Sequence, residues 1–335
     1  MRFGFMVLPR RIDDTREAAR LAEAAGFDWM GVADSPTVYQ DSYLHQLEAA
    51  NATERLKVAP MTSHLVARHP VIVGNLLATL NEISGGRALG TITTGNSAAR
   101  GLGLKPAKLS ELAEGFEAIR GYWRGDGGSF DACGFKGSAI PPSGIVREGC
   151  PLIFGADGPK AAAMAGKVGD GILYGGSMDP EVRRRRLAAG KTRPEQEAWI
   201  APTVSLGETH DEVREDLGAM VVAMANRAMR GDLAERGVPA ELHPDVEAMW
   251  ASYDYGFHAD NSRPRNTGVV SDALASHLID SLCLWGDESR WAGLIDELEA
   301  EGWTGMMLIL GQATQLGVIE AIGKRLRSLG QITAA

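Results

Sequence analysis

The sequence predicts a mixed α/β fold built as a single (β/α)8 barrel, the TIM barrel, with insertions. Short apolar runs rich in Val, Ile and Gly alternate with helical patterns of about ten residues or more, which is typical of βα units around a parallel sheet. Eight such runs can be counted, the number that closes a barrel. The 335 residues also suit one barrel, so 1–335 is expected to form one domain.

The first part of the chain supplies four predicted βα units in regular order. Strands are predicted at 3–8, 29–33, 56–61 and 88–93, with helices at 15–25 and 43–53, a third that begins at Pro70, and a fourth at 109–123. Proline suits a helix start because the N–H that it lacks has no partner in the first turn. Gly26 follows the first helix, where a left-handed residue commonly ends a helix.

A stretch rich in Gly and Pro at about 125–149 interrupts this alternation and predicts an excursion from the barrel. Strands at 151–154, 171–174, 200–206 and 305–310 and helices at 160–168 and 316–329 then complete the pattern. A second excursion is expected at about 230–270, where helical segments precede a long loop over 253–267. A long loop at a barrel rim usually contacts substrate.

Alternating strands and helices are also compatible with an open, doubly wound sheet. Its dinucleotide-binding turn needs three glycines between a strand and a helix. The segment Gly101-Leu102-Gly103 lacks the third glycine and is followed by Leu104, Lys105 and Pro106. The closed barrel is therefore the better prediction.

Charge and composition argue against several classes of function. The net charge is −9 and the only basic run is 183–186, so no nucleic-acid partner is expected, since phosphate binding needs a basic face. No run approaches the ~18 apolar residues of a membrane span, and the apolar run at 1–9 is too short for a signal peptide. We therefore expect no membrane partner and a cytoplasmic location. Cys133, Cys150 and Cys283 are odd in number and widely spaced, which predicts reduced thiols.

Functional residues of a (β/α)8 barrel lie at the carboxyl ends of the strands and in the loops that follow them. At those positions the chain carries mostly small, neutral, hydroxyl-bearing residues and few acids. His64 and His69 alone cannot complete a metal site, so no metal is expected. A planar chromophore with a phosphate tail fits such a rim better. The rim residues are Asp34, Ser35, Tyr39 and Gln40, then Thr62, Ser63 and His64, then 94–97, 155–160, Gly175 and Gly176.

Two glycine-containing turns offer main-chain N–H groups near the start of a helix, where proteins commonly bind phosphate. One is Thr94-Gly95-Asn96-Ser97, and the other is Gly155-Ala156-Asp157-Gly158-Pro159-Lys160. Each glycine allows close approach to the backbone. Lys160 adds a charge to the second turn, unless it is only a solvated residue of the first helical turn.

Several separated motifs occur in a fixed order along nearly the whole chain. The most specific is Glu82-Ile83-Ser84-Gly85-Gly86-Arg87, which a strand and Gly95-Asn96-Ser97-Ala98 follow. The others are Ala25-Gly26-Phe27-Asp28, Ala52-Thr53-Glu54-Arg55-Leu56, Arg68-His69-Pro70, Gly158-Pro159-Lys160 and Gly169-Asp170-Gly171. Together they resemble the bacterial luciferase-like superfamily of flavin- or F420-dependent oxidoreductases, especially its methylenetetrahydromethanopterin-reductase-like branch.

This resemblance implies a luciferase-like barrel that holds the ring of FMN or of the deazaflavin F420 against strands three and four. It also implies a cis peptide bond without proline at the end of strand three, expected at Thr62–Ser63, and a homodimer or higher homo-oligomer formed through the helices after strands one to three. The implied cofactor-binding residues are Thr62 and Ser63 for the ring, Thr94, Gly95, Asn96 and Ser97 for the ring or ribityl chain, and Gly155, Ala156, Gly158, Pro159 and Lys160 for the tail, with Gly175 and Gly176 beside them.

The loop after strand two departs from one pattern of this superfamily. Several F420-dependent dehydrogenases carry a histidine and a tryptophan there, whereas this chain has Asp34-Ser35-Pro36-Thr37, which argues against a sugar-phosphate or alcohol dehydrogenase of that type. Asp34 is the catalytic acid candidate on this loop, with a turn or helix-capping role as the alternative.

The candidate for proton transfer in the long loop is His258, since histidine titrates near neutral pH. Substrate contacts are assigned to Tyr39, His64, Tyr253 and Tyr255. The alternative for the loop tyrosines is that they pack the loop against the barrel.

The leading functional hypothesis is a monooxygenase that uses reduced FMN, supplied by a separate flavin reductase, to oxidise a small organic substrate in a water-poor pocket. The alternative is an F420-dependent reductase or dehydrogenase that transfers hydride without oxygen. A third hypothesis is a non-catalytic flavin-binding homologue.

Overall fold

The computed structural model describes residues 1–125, 129–132, 135–138, 148–257, 265–311 and 315–333. Eight parallel strands form a barrel in it, so the predicted fold class is confirmed. We number these barrel strands in chain order. They are β1 Arg2–Val7, β2 Trp29–Val32, β3 Lys57–Pro60, β4 Gly90–Thr93, β5 Leu152–Ala156, β6 Gly171–Tyr174, β7 Glu197–Ile200 and β8 Gly305–Leu310.

The strands follow one another around the barrel in the order β3-β2-β1-β8-β7-β6-β5-β4. Phe5 on β1, for example, pairs with Met30 on β2 and with Leu308 on β8. After a two-residue break, β3 continues as Ser63–His64, which pairs with the end of β4. The continuation of β3 therefore closes the circle.

Strand β7 differs from its predicted range of 200–206. It begins at Glu197, breaks, and resumes as Thr203–Val204, which pairs with β8 and with a short extra strand, Cys283–Leu284. The break falls at Pro202, which has no N–H to donate to a neighbouring strand. The sequence did not indicate this early start, because charged Glu197 does not resemble the first residue of a buried strand. In the folded chain its carboxylate accepts hydrogen bonds from Arg2 at 3.0 Å and from the Trp199 indole at 2.6 Å.

Twelve α-helices lie in the described part of the chain, most of them packed around the outside of the barrel. Helix α1 shows why: its buried residues Ala18, Ala19, Ala22 and Ala25 share one face, and it ends at Gly26 in the left-handed conformation. The helices are α1 Ile12–Ala25, α2 Ser42–Asn51, α3 Pro70–Ile83, α4 Ser97–Gly101, α5 Leu109–Arg124, α6 Pro159–Val168, α7 Pro180–Gly190, α8 His210–Ala228, α9 His243–Ser252, α10 Asp272–Leu282, α11 Glu288–Glu301 and α12 Gln315–Ser328.

The amino-terminal end of the barrel is filled by two indoles. Trp29 and Trp199 meet edge to face, with ring centroids 5.1 Å apart. A Cβ at Gly4 would lie 2.5 Å from Trp29, and one at Gly305 would lie 2.4 Å from Trp199. Glycine is therefore required on β1 and β8 at these points, and any ligand must enter the barrel from its opposite, carboxyl end.

Helices α8, α9 and α10 form a second hydrophobic core between β7 and β8. Within α8, Gly218 leaves the helical conformation with φ 11° and ψ −91°. Beyond this kink, Met220 and Ala223 pack with side chains of the barrel interior. Helix α8 therefore lies over the carboxyl ends of the strands.

A separate antiparallel pair, Ser129–Ala132 with Phe135–Ser138, lies within the excursion expected at about 125–149. Across the described residues, no helix combines the length and the apolarity that crossing a membrane requires.

Candidate active site

A cleft opens at the carboxyl ends of the barrel strands, beneath α8. It encloses about 1090 Å³ of empty space, counting the part that is open to solvent. The predicted site residues that line it are Asp34, Tyr39, Thr62, Thr94, Gly95, Asn96, Ser97, Gly155, Ala156 and Gly175.

Other predicted site residues lie around this cleft without lining it. Ser63 and His64 are fully buried behind it. Gly158, Pro159 and Lys160 continue from Asp157, a lining residue, into the first turn of α6. Gly176 follows the lining residue Gly175 and packs against the Tyr174 ring.

The residues predicted in the long loop after α9 are not brought to the cleft by the described structure. Tyr253 packs against the core of α8, α9 and α10. The side chain of Tyr255 and all of His258 lie outside the described residues.

The cleft has an apolar floor and roof. Met6, Leu8, Met61 and Ile309 come from the barrel, and Met220 and Met224 come from α8. Methionine side chains adapt to flat aromatic surfaces and contact them favourably. The lining residues of α8, which are 220, 223, 224 and 227, have the spacing of one helix face.

The peptide bond between Met61 and Thr62 is cis. It therefore occurs one bond before Thr62–Ser63, the position expected from the resemblance. Both residues line the cleft at the break in β3.

Asp34 belongs to a buried hydrogen-bond network at the ends of β2 and β3. Its Oδ2 accepts from Ser63 Oγ at 2.8 Å and from Arg68 at 2.5 Å. Tyr43 Oη donates to Ser63 Oγ at 3.1 Å, and Arg68 also contacts Asp41 at 3.1 Å. The Asp34 side chain is 2% exposed. An ionised carboxylate only accepts hydrogen bonds, so in this network Asp34 holds Ser63 and Arg68 in place.

Arg68 keeps its charge although it is partly buried. Burial lowers its pKa, but the hydrogen bond and the charge of Asp34 outweigh that effect, so the pKa is raised overall. Arg68 was not among the predicted site residues. The sequence feature that could have pointed to it is a single arginine, in the motif Arg68-His69-Pro70, that follows a run of apolar and hydroxyl-bearing residues.

Tyr39 places a neutral phenol beside the cleft. Burial raises its pKa to about 12, against the opposing charge of Arg10. The Tyr39 hydroxyl therefore keeps its proton near neutral pH and is able to donate a hydrogen bond.

His64 is buried beneath the turn that contains Gly95. Gly95 has φ 83°, and a Cβ there would lie 3.3 Å from His64 Cβ. Both ring nitrogens of His64 lack a hydrogen-bond partner among the described residues. Burial lowers its pKa, with Arg68 acting in the same direction and Asp34 against it. His64 is thus a neutral imidazole that supports the turn at Gly95 from behind.

This burial predicts a pH effect on stability. The unfolded chain binds a proton at His64 below about pH 6.5, whereas the folded chain does so only at lower pH, so stability falls as pH drops below about 6.5. We expect His64→Leu to reduce this loss, compared by urea unfolding at pH 8 and pH 5.5. Part of the pH dependence should remain in this variant, because burial also lowers the pKa values of His45, His69 and His277. An unchanged pH dependence in the variant would remove His64 from this explanation.

One end of the cleft is charged. Arg227 of α8 donates to Asp157 Oδ2 at 2.6 Å and to the Gly175 carbonyl at 3.2 Å, and Gly175 N–H donates to Asp157 Oδ1 at 3.2 Å. The sequence did not indicate Arg227, because it lies 70 residues from its partner in the chain. This end of the cleft is suited to the anionic part of a ligand.

The site fits a planar redox cofactor with a phosphate tail. Apolar side chains would face the ring, the turns at Gly95 and Gly155 bring main chain to the cleft, and Arg227 lies at the end where Gly158 begins α6. No group of three or more His, Cys, Asp or Glu side chains within the described ranges is placed to hold a metal ion.

Comparisons with known proteins identify the family to which the chain belongs. The family model described as luciferase-like monooxygenase matches residues 1–305. The chain is 29% identical over 290 residues to 5,10-methylenetetrahydromethanopterin reductase of Methanolobus tindarius, an alignment that covers 84% of this chain and 85% of that protein. It is 25% identical over 317 residues to the protein of the same name from Archaeoglobus fulgidus, covering 91% and 92%.

Among solved structures, the coenzyme F420-dependent tetrahydromethanopterin reductase from Methanopyrus kandleri has the same fold. The two superimpose with a TM-score of 0.76 at 21% sequence identity, covering 97% of each chain. The resemblance inferred from the sequence motifs is confirmed by the family match. The chain belongs to the luciferase-like family of oxidoreductases.

Proposed function

We propose that this protein is an F420-dependent oxidoreductase that exchanges hydride with a small organic substrate and needs no oxygen. The observation that carries the proposal is a cleft with apolar walls that ends at the Arg227–Asp157 pair, beside the start of α6. This arrangement suits an aromatic ring with a strongly anionic tail. The Methanopyrus kandleri enzyme that shares the fold is F420-dependent, which supports placing F420 ahead of FMN, the reverse of the order from sequence.

F420, when bound, supplies a ring carbon that gives or accepts a hydride. The chain would hold that ring between Met61 of the barrel and Met220 and Met224 of α8, where these side chains exclude water. The hydroxyls of Thr62, Thr94 and Ser97 would contact its polar edge.

The chain's polar groups have distinct tasks in this proposal. Arg227 and the turn at 155–160 would hold the tail phosphate, through the guanidinium and the N–H groups of the first turn of α6. Asp34 and Arg68 would fix Ser63 and therefore the adjoining Thr62. Tyr39 holds a proton on Oη beside the cleft and is the group that would donate it to a substrate heteroatom.

An FMN-dependent monooxygenase that relies on a separate flavin reductase is the second candidate. The family description and the apolar walls of the cleft favour it. In that case the same residues bind FMN, and Arg227 again faces the phosphate.

Cofactor titration separates the two candidates. The purified protein, freed of bound cofactor, is titrated with F420 and with FMN in one buffer, and dissociation constants are measured from cofactor fluorescence. We expect F420 to bind at least about tenfold more tightly, a difference of about 1.4 kcal/mol. Tighter binding of FMN, or oxygen consumption that depends on reduced FMN and this protein, would favour the monooxygenase instead.

A further inference from the structure

Three arginines lie near the start of α6, just beyond the charged end of the cleft. We call Arg186, Arg227 and Arg236 the arginine cluster. One Arg236 nitrogen donates to the Asp157 carbonyl and the other donates to the Arg230 carbonyl at 2.7 Å. A Cβ at Gly158 would lie 2.7 Å from this second nitrogen. Glycine at the N-cap of α6 thus allows a guanidinium to lie directly against the helix start.

Few carboxylates balance these charges. Asp157 is bound by Arg227 at 2.6 Å, and Glu235 lies 3.5 Å from Arg186 with its side chain 47% exposed. The nearby carboxylates of Asp179 and Asp232 accept main-chain N–H groups at helix starts. The arginine cluster therefore carries an excess of positive charge.

Two side chains of the cluster carry signs of a missing anion. Arg186 is 2% exposed, and its Nε has no hydrogen-bond partner among the described residues. Burial lowers the pKa of Arg236, and the charges of Arg186 and Arg227 act in the same direction against Asp157 and Tyr174. An unsatisfied buried guanidinium nitrogen and mutually repelling cations are both stabilised by a bound anion.

The start of α6 adds donors to the same place. Helix α6 has ten residues, and the N–H groups in the first turn of a helix have no acceptor within the helix. The exposed Lys160 extends from this turn. Main-chain N–H groups, one ammonium and the arginine cluster thus border one region, which the cleft reaches through Asp157 and Arg227.

We propose that the arginine cluster is an anion site that binds negatively charged groups beyond the first phosphate of the cofactor tail. The protein thereby selects a cofactor whose tail carries several negative charges, such as the phosphodiester and successive glutamyl carboxylates of F420. This inference rests on the proposed function for the identity of the ligand, but the anion site itself does not.

Inorganic pyrophosphate tests the site without any cofactor. Its binding to the cofactor-free protein is measured by calorimetry for the wild type, Arg236→Gln and Lys160→Gln, with Arg20→Gln as the control that removes an exposed charge on α1. We expect Arg236→Gln to weaken binding about tenfold or more and Lys160→Gln to weaken it less, since charged hydrogen bonds contribute more than distant charges. Lys160 is exposed, so Lys160→Gln remains informative if Arg236→Gln folds poorly. Absence of pyrophosphate binding, or equal loss in Arg20→Gln, would overturn the anion site.

A second titration compares F420 with FO, the same deazaflavin without phosphate or tail. We expect wild-type protein to prefer F420 by more than about a hundredfold and Arg236→Gln to reduce that preference without changing the affinity for FO. Equal affinities for F420 and FO would overturn the tail selection and leave F420-dependent activity standing. Binding of pyrophosphate but of neither deazaflavin would overturn the proposed function and leave the anion site standing.

Discussion

Replacing Arg68 with methionine is expected to lower the free energy of unfolding by about 3–5 kcal/mol, the usual cost of removing one partner of a buried ion pair. The reason is Asp34, whose side chain is 2% exposed and whose charge is balanced by Arg68 at 2.5 Å. Without Arg68 the Asp34 carboxylate must either remain charged while buried and without its cationic partner, or take up a proton. Urea unfolding followed by circular dichroism measures the change.

Two further variants show whether the charge of Asp34 is the cause. Arg20→Met removes an arginine that is 57% exposed and pairs with Glu17 on the surface, so it should change stability by less than about 0.5 kcal/mol. The double variant Asp34→Asn with Arg68→Met should recover part of the loss, because no unpaired charge remains. A loss below about 1 kcal/mol in Arg68→Met would contradict the importance of this pair.

Replacing Ala223 with phenylalanine is expected to weaken cofactor binding about a hundredfold, or about 2.7 kcal/mol. Ala223 is buried on the face of α8 that lines the cleft. A phenyl ring there occupies space that the cofactor ring needs, and forcing extra volume into a packed site costs about 1–3 kcal/mol. The dissociation constant for F420, measured by fluorescence, is the readout.

The matched control is Ala248→Phe, which adds the same ring to an exposed position of α9. It should bind F420 like the wild type. Ala223→Phe should also retain its far-ultraviolet circular dichroism, since Ala223 lies on the lining face of α8 and not in the core of α8, α9 and α10. Unchanged affinity in Ala223→Phe would mean that the ring binds away from α8.

The barrel was predictable because its signal is local. Each strand is a short apolar run. The prediction of β7 was wrong because this strand begins at charged Glu197 and is interrupted at Pro202. The barrel residues that line the cleft were predictable for a related reason: Thr62, Thr94 and Gly155 lie at or near the carboxyl ends of strands, and the fold class fixes where strand ends meet.

The rest of the site depends on contacts between distant parts of the chain. Arg227 meets Asp157 across 70 residues, and Arg68 meets Asp34 across 34. Sequence patterns give no partner for a single arginine, because its long side chain reaches groups that only the folded chain brings near. Helix α8 was overlooked as a wall of the cleft because its lining face, with Met220 and Met224, looks like any buried helix face.

The roof of the cleft is not part of the eight strand-and-helix units. It is one face of α8, and the other side of that helix packs into a separate core with α9 and α10. Substitutions on the lining face therefore change the space in the cleft beneath α8, while the contacts among the eight barrel strands remain unchanged. The shape of the cleft can therefore change through substitutions in this one helix, without changes in the eight strands.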